Sequence, residues 1–243
     1  MDHGGSEQVE GHVAAGAGTR EPAPSRRAIV PAARLGGWVD RFIAGHGGAD
    51  LRRDADGRPR LVARDGTTAV CDLVVDDTRA YDDAAGLVAW AQRPHPYALL
   101  LVRRGGWAVA LAEGTRIGVS RVGTRYVQGR TKAGGWSQKR YARRRARQAD
   151  SVVDAAVGAA AELLGGQPGD RRRLLVTGGD RLLLRDTLAG LERTGTRLTV
   201  ADRRLDVPDP RRRVLDEAAV SACAVRVAVY DGPGPAATRS PRQ

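Results

Sequence analysis

The spacing of apolar residues changes along this chain, from alternation in its first half to helical spacing in its second half. Two Asp-Gly dipeptides, at 56–57 and 65–66, separate short alternating segments, and this arrangement predicts hairpin strands over residues 60–64 and 68–75. A short helix is predicted next over residues 83–92, because Pro residues directly follow it.

The alternating pattern then continues through turns that contain glycine. Further strands are predicted at 97–103, 107–112 and 116–120, the last continuing toward residue 128. Consecutive short strands separated by tight turns are typical of antiparallel pairing. The first half therefore predicts an antiparallel meander.

The period changes after residue 136. Residues 137–164 predict a long helix, since apolar residues recur at helical spacing in its later part and two glycines follow it. Strands and helices then alternate: strands at 174–176, 198–200 and 224–230, and helices at 180–193 and 209–220. The predicted fold class is α/β (α+β), with a mixed sheet made of an N-terminal meander followed by βαβ units.

The ends of the chain differ in composition from its centre. Residues 1–27 and 232–243 are rich in Gly, Ala and Pro without periodicity, and we interpret them as disordered tails around one folded unit at 28–231. Cys71 and Cys223 each lie in an apolar run, which is typical of buried free thiols. No secretory leader and no apolar run of membrane-spanning length is recognised, so a cytoplasmic protein without a membrane partner is expected.

The charge is strongly positive, with 40 Lys+Arg against 28 Asp+Glu and a formal net charge of +12. Such a balance indicates a polyanionic partner, with nucleic acid ahead of a membrane surface. Arginine supplies nearly all of it, as a GC-rich genome would through codon bias, so the position of the charge is more informative than the total. Both lysines of the chain, Lys132 and Lys139, fall in one short stretch.

That stretch is 125–147, RYVQGRTKAGGWSQKRYARRRAR, and it has no acidic residue. Its nine basic residues are Arg125, Arg130, Lys132, Lys139, Arg140, Arg143, Arg144, Arg145 and Arg147. The pattern predicts a strand end, a glycine-containing loop and the first turns of the long helix. Positive charge at a helix start opposes the helix dipole, which indicates an external anionic surface such as phosphates. A solvated basic helix face remains the alternative.

Individual residues of the loop and of the helix start have predicted structural roles. Gly134 and Gly135 let the loop backbone approach another surface closely, and Ser137 is a candidate N-cap that sets Gln138 at the helix start. Three- and four-residue spacing places four arginines on one helix face: Arg140, Arg143, Arg144 and Arg147.

The same residues carry a family resemblance. The loop resembles the catalytic loop of the middle domain of eukaryotic and archaeal peptide-chain release factors, where Gly-Gly-Gln precedes a serine and a helix with an Arg-Phe-Ala-Arg pattern; here the helix reads Arg140-Tyr141-Ala142-Arg143. It is more similar still to the Vms-like release-factor group and its actinobacterial subgroup, whose loop has the form of residues 129–138. The resemblance implies a ribonuclease-H-like, release-factor middle-domain-like fold over about 30–230.

The resemblance also implies an activity, a peptidyl-tRNA hydrolase that needs no cofactor and no metal. Gln138 would position the attacking water, aided by Gly134, Gly135 and Ser137, in the peptidyl transferase centre of the large ribosomal subunit. The residues implied to contact rRNA or tRNA are Arg130, Lys132, Trp136, Lys139, Arg140, Arg143, Arg144 and Arg147.

One departure concerns the residue after the two glycines, which is Trp136, while the glutamine comes two positions later. We take Gln138 as the functional equivalent, because a longer loop can still deliver it. Trp136 would either stack on a base or pack against its own domain. With no room for a codon-reading domain, rescue of stalled peptidyl-tRNA is expected over codon-directed termination.

Two other functions are considered. A non-catalytic RNA-binding or ribosome-associated protein would keep the fold without hydrolysis. A metal nuclease would use acids near a strand end as ligands: Asp72, Asp76, Asp77 or Asp82. The second is disfavoured, because these acids resemble loop and N-cap residues. Phosphate-loop, zinc-protease and serine-hydrolase motifs are absent from the sequence.

Overall fold

The computed structural model describes residues 23–54, 56–77, 79–124, 137–165 and 173–232, with the backbone alone for 137–147 and 173. Within these ranges the chain forms ten strands and five α-helices. The strands are β1 (Arg26–Val30), β2 (Ala49–Arg53), β3 (Pro59–Ala63), β4 (Thr68–Asp72), β5 (Pro96–Arg103), β6 (Gly106–Glu113), β7 (Arg116–Thr124), β8 (Arg173–Gly179), β9 (Leu198–Leu205) and β10 (Val225–Tyr230). The helices are α1 (Leu35–Gly45), α2 (Ala84–Gln92), α3 (Ser137–Gly165), α4 (Arg181–Arg193) and α5 (Arg212–Cys223).

Five strands form an antiparallel sheet in the order β1-β10-β4-β3-β2. Burial alternates along β3, where Leu61 is buried and its neighbours Arg60 and Val62 are only half-buried. Residues from α1 and α2, including Leu35, Phe42 and Leu87, join the buried cluster on one face. The antiparallel sheet thus has one face packed under helices.

The other five strands form a mixed sheet in the order β7-β6-β5-β8-β9. β5, β6 and β7 are antiparallel neighbours, whereas β8 pairs parallel to β5 and β9 parallel to β8. An antiparallel meander followed by two parallel strands is the order of a ribonuclease-H-like sheet. The predicted fold class is confirmed.

Helices cover both faces of the mixed sheet. α3 and α4 contribute to a buried cluster with Leu100 and Val102 of β5, and α5 contributes to a second cluster with Leu99 and Leu101. Because alternate residues of β5 point to opposite faces, the run from Tyr97 to Val102 is buried throughout. Its nearly continuous apolar sequence follows from this double coverage.

The strands divide between two sheets, although a single sheet was expected. The reason is that β10, the last strand, inserts between β1 and β4 instead of extending the mixed sheet. No element was predicted between residues 28 and 55, where α1 and β2 lie. α1 contains three glycines, which lower helix propensity, yet Leu35, Val39 and Phe42 recur at helical spacing and are buried. β1 begins at Arg26, two residues before the predicted start of the folded unit.

A buried arginine joins the two sheets. Arg203 of β9 has a side chain 2% exposed. Its Nη1 donates to the carbonyl oxygens of Ala222 (3.3 Å) and Ala224 (2.6 Å), between α5 and β10. Its Nη2 donates to the backbone oxygen of Asp72 at the end of β4 (2.5 Å) and lies 3.2 Å from the Asp72 carboxylate. Burial lowers the pKa of the guanidinium, and the Asp72 carboxylate opposes this shift.

Candidate nucleic-acid interface

The predicted site residues divide between two parts of the chain. The loop residues Arg130, Lys132, Gly134, Gly135 and Trp136 lie outside the described residues. The remaining predicted residues lie on the backbone of α3: Ser137, Gln138, Lys139, Arg140, Arg143, Arg144 and Arg147. α3 begins at Ser137, as predicted from the sequence, so Gln138 is its second residue.

The two ends of the loop have fixed places in the fold. β7 ends at Thr124, which pairs with Gly106 at the start of β6, and α3 begins at Ser137. Both β5 and β7 run antiparallel to β6, so the chain leaves β7 at the carboxyl end of β5. The predicted catalytic loop therefore connects this end of the mixed sheet to the start of α3.

The later part of α3 is anchored in the core. Val152, Ala156 and Ala160 are fully buried against the face of the mixed sheet that contains Leu100. Arg121 of β7 also forms an ion pair with Glu162 of α3, at 2.6 Å. The strand before the loop and the helix after it are thus tied together by packing and by an ion pair.

Two helices begin at this same end of the mixed sheet. α4 follows β8 and α5 follows β9, and both strands run parallel to β5. The helix dipoles at the amino ends of α4 and α5 favour anions there, although the Asp180 carboxylate already accepts from the Leu182 and Leu183 amides at the start of α4.

Arginines add to the positive potential at this end. Neither α4 nor α5 has an acidic residue in its first turn. Exposed arginines lie at the helix starts and in the β5–β6 turn: Arg104, Arg181, Arg211, Arg212 and Arg213. Arg212 and Arg213 pair with Asp216 and Glu217 (3.5 and 2.8 Å), but such exposed pairs keep most of their solvation. Asp180 at the start of α4 and Asp206 and Asp209 before α5 offset part of this charge, while arginine remains the more frequent charged residue at the helix starts.

These arginines were missed by sequence reasoning, which considered only the stretch 125–147. The predicted order of strands and helices would have located them. Helices that follow parallel strands start at one edge of a sheet, so Arg181 and Arg211 were bound to lie at the edge where β7 ends.

The acids of the nuclease hypothesis have other partners. Asp72 pairs with Arg203, and Asp76 accepts a hydrogen bond from the Tyr81 hydroxyl (2.5 Å) and lies 3.5 Å from Arg53. Asp77 accepts a hydrogen bond from the Arg79 amide (3.1 Å), and Asp82 is exposed. Within the described ranges, no group of three or more His, Cys, Asp or Glu residues could hold a metal ion.

Neither cysteine has the surroundings of a nucleophile. Both are free; Cys71 is buried and Cys223 is half-buried. Burial raises the pKa of the Cys71 thiol to about 12, and it also raises the pKa of Cys223. Both thiols therefore stay protonated at neutral pH, and only a thiolate is strongly nucleophilic.

Among the described helices, none has the length and apolar character that a membrane span requires.

Comparison with known proteins identifies one family. No curated protein matches the chain. The model of the Actinobacteria/chloroflexi VLRF1 release factor family matches residues 95–228, which is more than half of the 243 residues. The match runs from the start of β5 into β10 and includes the loop and α3, so the chain belongs to this release-factor family.

Proposed function

We propose that this protein is a peptidyl-tRNA hydrolase of the release-factor type. It would act in the cytoplasm on stalled ribosomes or on large subunits, and so rescue them. The observation that carries the proposal is the family match over residues 95–228, which encloses the loop from Gly134 to Gln138.

The reaction is hydrolysis of one ester bond. The oxygen of water bonds to the carbonyl carbon of the nascent peptide, the bond to the terminal ribose oxygen of the tRNA breaks, and a proton passes to that oxygen. A glutamine does not ionise, so Gln138 acts by holding the water in line with the ester, a positioning effect. Charge on the developing oxyanion is stabilised by the surrounding RNA.

The other loop residues support this geometry. Gly134 and Gly135 let the backbone reach the tRNA end without a side-chain clash, and Ser137 marks the helix start that directs Gln138. Trp136 stacks on a base of the RNA, an interaction worth about 1–3 kcal/mol.

Binding is electrostatic in this proposal. Seven basic residues of the loop and of α3 contact rRNA or tRNA phosphates: Arg130, Lys132, Lys139, Arg140, Arg143, Arg144 and Arg147. The described structure supports this role, because the amino ends of α4 and α5 lie at the end of the mixed sheet where β7 ends, directly before the loop. Anionic RNA is favoured at such helix ends.

The test is peptide release from purified peptidyl-tRNA complexes of whole ribosomes and of large subunits. Gln138→Ala should abolish release while ribosome binding is retained, because the side chain positions water and contributes little charge. Gln148→Ala, ten residues further along α3, is the matched control and should release peptide at the wild-type rate.

A different outcome would favour the second function. If wild type and Gln138→Ala both bind the complexes and neither releases peptide from either one, the protein is a non-catalytic ribosome-associated RNA-binding protein. Release that is equal in wild type and Gln138→Ala would place the water-positioning group elsewhere in the loop.

A further inference from the structure

Among the described residues, the helices α1 and α2 pack on one face of the antiparallel sheet, and no described helix packs on its second face. Residues paired across neighbouring strands point to the same face. The pairs Arg27–Ala228, Ala228–Val70, Val70–Arg60 and Arg60–Arg52 therefore place one row of side chains across all five strands. This row lies opposite the face whose buried cluster includes Leu61 and Val227. We call this surface the open face, defined by Arg27, Ile29, Arg52, Arg60, Arg226 and Tyr230.

The open face is basic. Arg27, Arg52 and Arg226 are exposed and Arg60 is half-buried. Only two acids share the face by register. One is Asp72, which is paired with Arg203 of the mixed sheet, and the other is Asp50, which lies 3.8 Å from Arg52. Positive charge thus exceeds negative charge on this surface.

The arginines lie on both sides of two apolar residues in the middle of the row. Ala228 and Val70 occupy the middle of the row, and Val70 is only 4% exposed. Strands lie about 4.8 Å apart, so Arg27 of β1 and Arg60 of β3 are about 14 Å apart across the sheet. In the neighbouring row, Ile29 is 72% exposed and lies beside Arg226.

An aromatic ring completes the surface. Tyr230 is half-buried, and the Arg60 guanidinium lies 5.8 Å from its ring centroid. Arginines that contact phosphates, combined with an aromatic ring and guanidinium planes on which bases stack, form the standard platform for a single nucleic-acid strand.

We infer that the open face binds a strand of RNA, as a second contact of this protein with the ribosome. The inference rests on the proposed function for the source of the RNA, but not for the chemistry of binding. β1 to β4 precede residue 95, where the family match begins. The open face would therefore add affinity without taking part in hydrolysis.

The first experiment uses an oligouridylate as the probe and the full-length protein. The dissociation constant is measured across a range of salt concentrations for wild type and for Arg27→Ala/Arg226→Ala. We expect weaker binding and a slope of log affinity against log salt that is smaller by about 1.4, since each phosphate contact on a single strand contributes about 0.7.

The matched control is Arg34→Ala/Arg41→Ala, which removes the same charge. Both arginines are exposed and lie beside or within α1, which packs on the opposite face of the sheet. This control should keep the wild-type slope. Arg27→Lys/Arg226→Lys should also keep it, because counterion release depends on charge. Equal slopes for the two alanine double variants would overturn the inference.

The second experiment separates this inference from the proposed function. In peptide release from large subunits, Arg27→Ala/Arg226→Ala should raise the half-saturating protein concentration and leave the maximal rate unchanged. If wild type releases no peptide, the proposed function fails while the oligouridylate result still decides the open face. Sedimentation is the last check: a wild-type dimer that the double variant dissociates would identify a second copy as the occupant and overturn RNA binding.

Discussion

The two sheets of this protein are built from the same number of strands but are covered differently. Helices pack on both faces of the mixed sheet, and its central strand β5 is buried from Tyr97 to Val102. Helices pack on one face of the antiparallel sheet, and β2 has no buried residue. The mixed sheet is thus buried on both sides, whereas the antiparallel sheet leaves one face that no described helix covers.

The largest effect should come from the contact that joins the two sheets. Arg203→Leu removes the donor for the carbonyl oxygens of Ala222, Ala224 and Asp72 and leaves the Asp72 carboxylate without its guanidinium. Leaving a buried hydrogen-bond acceptor without its donor costs about 1–3 kcal/mol for each group, whereas Asp72 is 43% exposed and remains solvated. Urea unfolding should show this loss in the free energy of unfolding.

The neighbouring residue supplies the control. Arg204 is exposed and its Nη1 donates to the Gly179 carbonyl at 2.5 Å. Arg204→Leu should cost about 1 kcal/mol, the usual value of one hydrogen bond. If Arg203→Leu costs no more than Arg204→Leu, the buried arginine does not hold the sheets together.

A second prediction compares a buried residue of the mixed sheet with an exposed residue of the open face. Leu100 of β5 is fully buried, so Leu100→Ala should lower the free energy of unfolding by about 3 kcal/mol through lost burial and a residual cavity. Ile29→Ala on the open face removes the same number of carbon atoms, but Ile29 is 72% exposed, so this change should cost less than about 0.5 kcal/mol. Thermal and denaturant unfolding of both variants measure the contrast, and equal losses would show that the open face is covered.

The mixed sheet was largely predictable from the sequence, because its patterns are strong. The apolar run of β5 and the helical spacing of Val152, Ala156 and Ala160 fix those elements. The Asp-Gly turns likewise fixed β3 and β4.

The rest required long-range information. β10 pairs with β1 and β4 through partners about 200 and 160 residues away in sequence, such as Arg27–Ala228 and Val70–Ala228, and no local pattern encodes these pairings. The same holds for the basic end of the mixed sheet, where Arg181 and Arg211 become neighbours of the loop only through topology. For Gln138, the loop motif predicted a role that the residue type alone does not.

A third prediction concerns the basic end of the mixed sheet. The Asp180 carboxylate caps α4 by accepting from the amides of Leu182 (2.9 Å) and Leu183 (3.2 Å). Asp180→Ala should therefore lower the free energy of unfolding by about 1 kcal/mol. Asp180→Asn keeps the cap and loses the charge, so its stability should stay near wild type.

The same two variants also test whether charge at this end of the sheet affects RNA binding. Both remove a negative charge from the end of the sheet that is proposed to face RNA. Both should bind large subunits at least as tightly as wild type, as filter binding at low salt would measure. Weaker binding by Asp180→Asn would contradict the proposed orientation of this end.

The smallest effect is expected on the antiparallel sheet, in its dependence on pH. His46 Nδ1 donates to the Asp65 carboxylate at 2.7 Å, and the Thr67 amide donates to it at 2.9 Å. The histidine hydrogen bond first, and then the backbone hydrogen bond, lower the pKa of Asp65 below its ordinary value. A lowered carboxyl pKa stabilises the fold above the unfolded-state value of about 3.9, and this contribution is lost as pH falls through the folded-state pKa.

Asp65→Asn should therefore lower the free energy of unfolding at neutral pH and flatten its fall below about pH 4. The variant and wild type should then have similar free energies of unfolding at the lowest pH. Asp82→Asn, at an exposed aspartate, is the control and should retain the wild-type fall. Urea unfolding from neutral pH to about pH 2 measures both curves. If the two variants lose stability in parallel, the His46–Asp65 contact adds nothing to the antiparallel sheet.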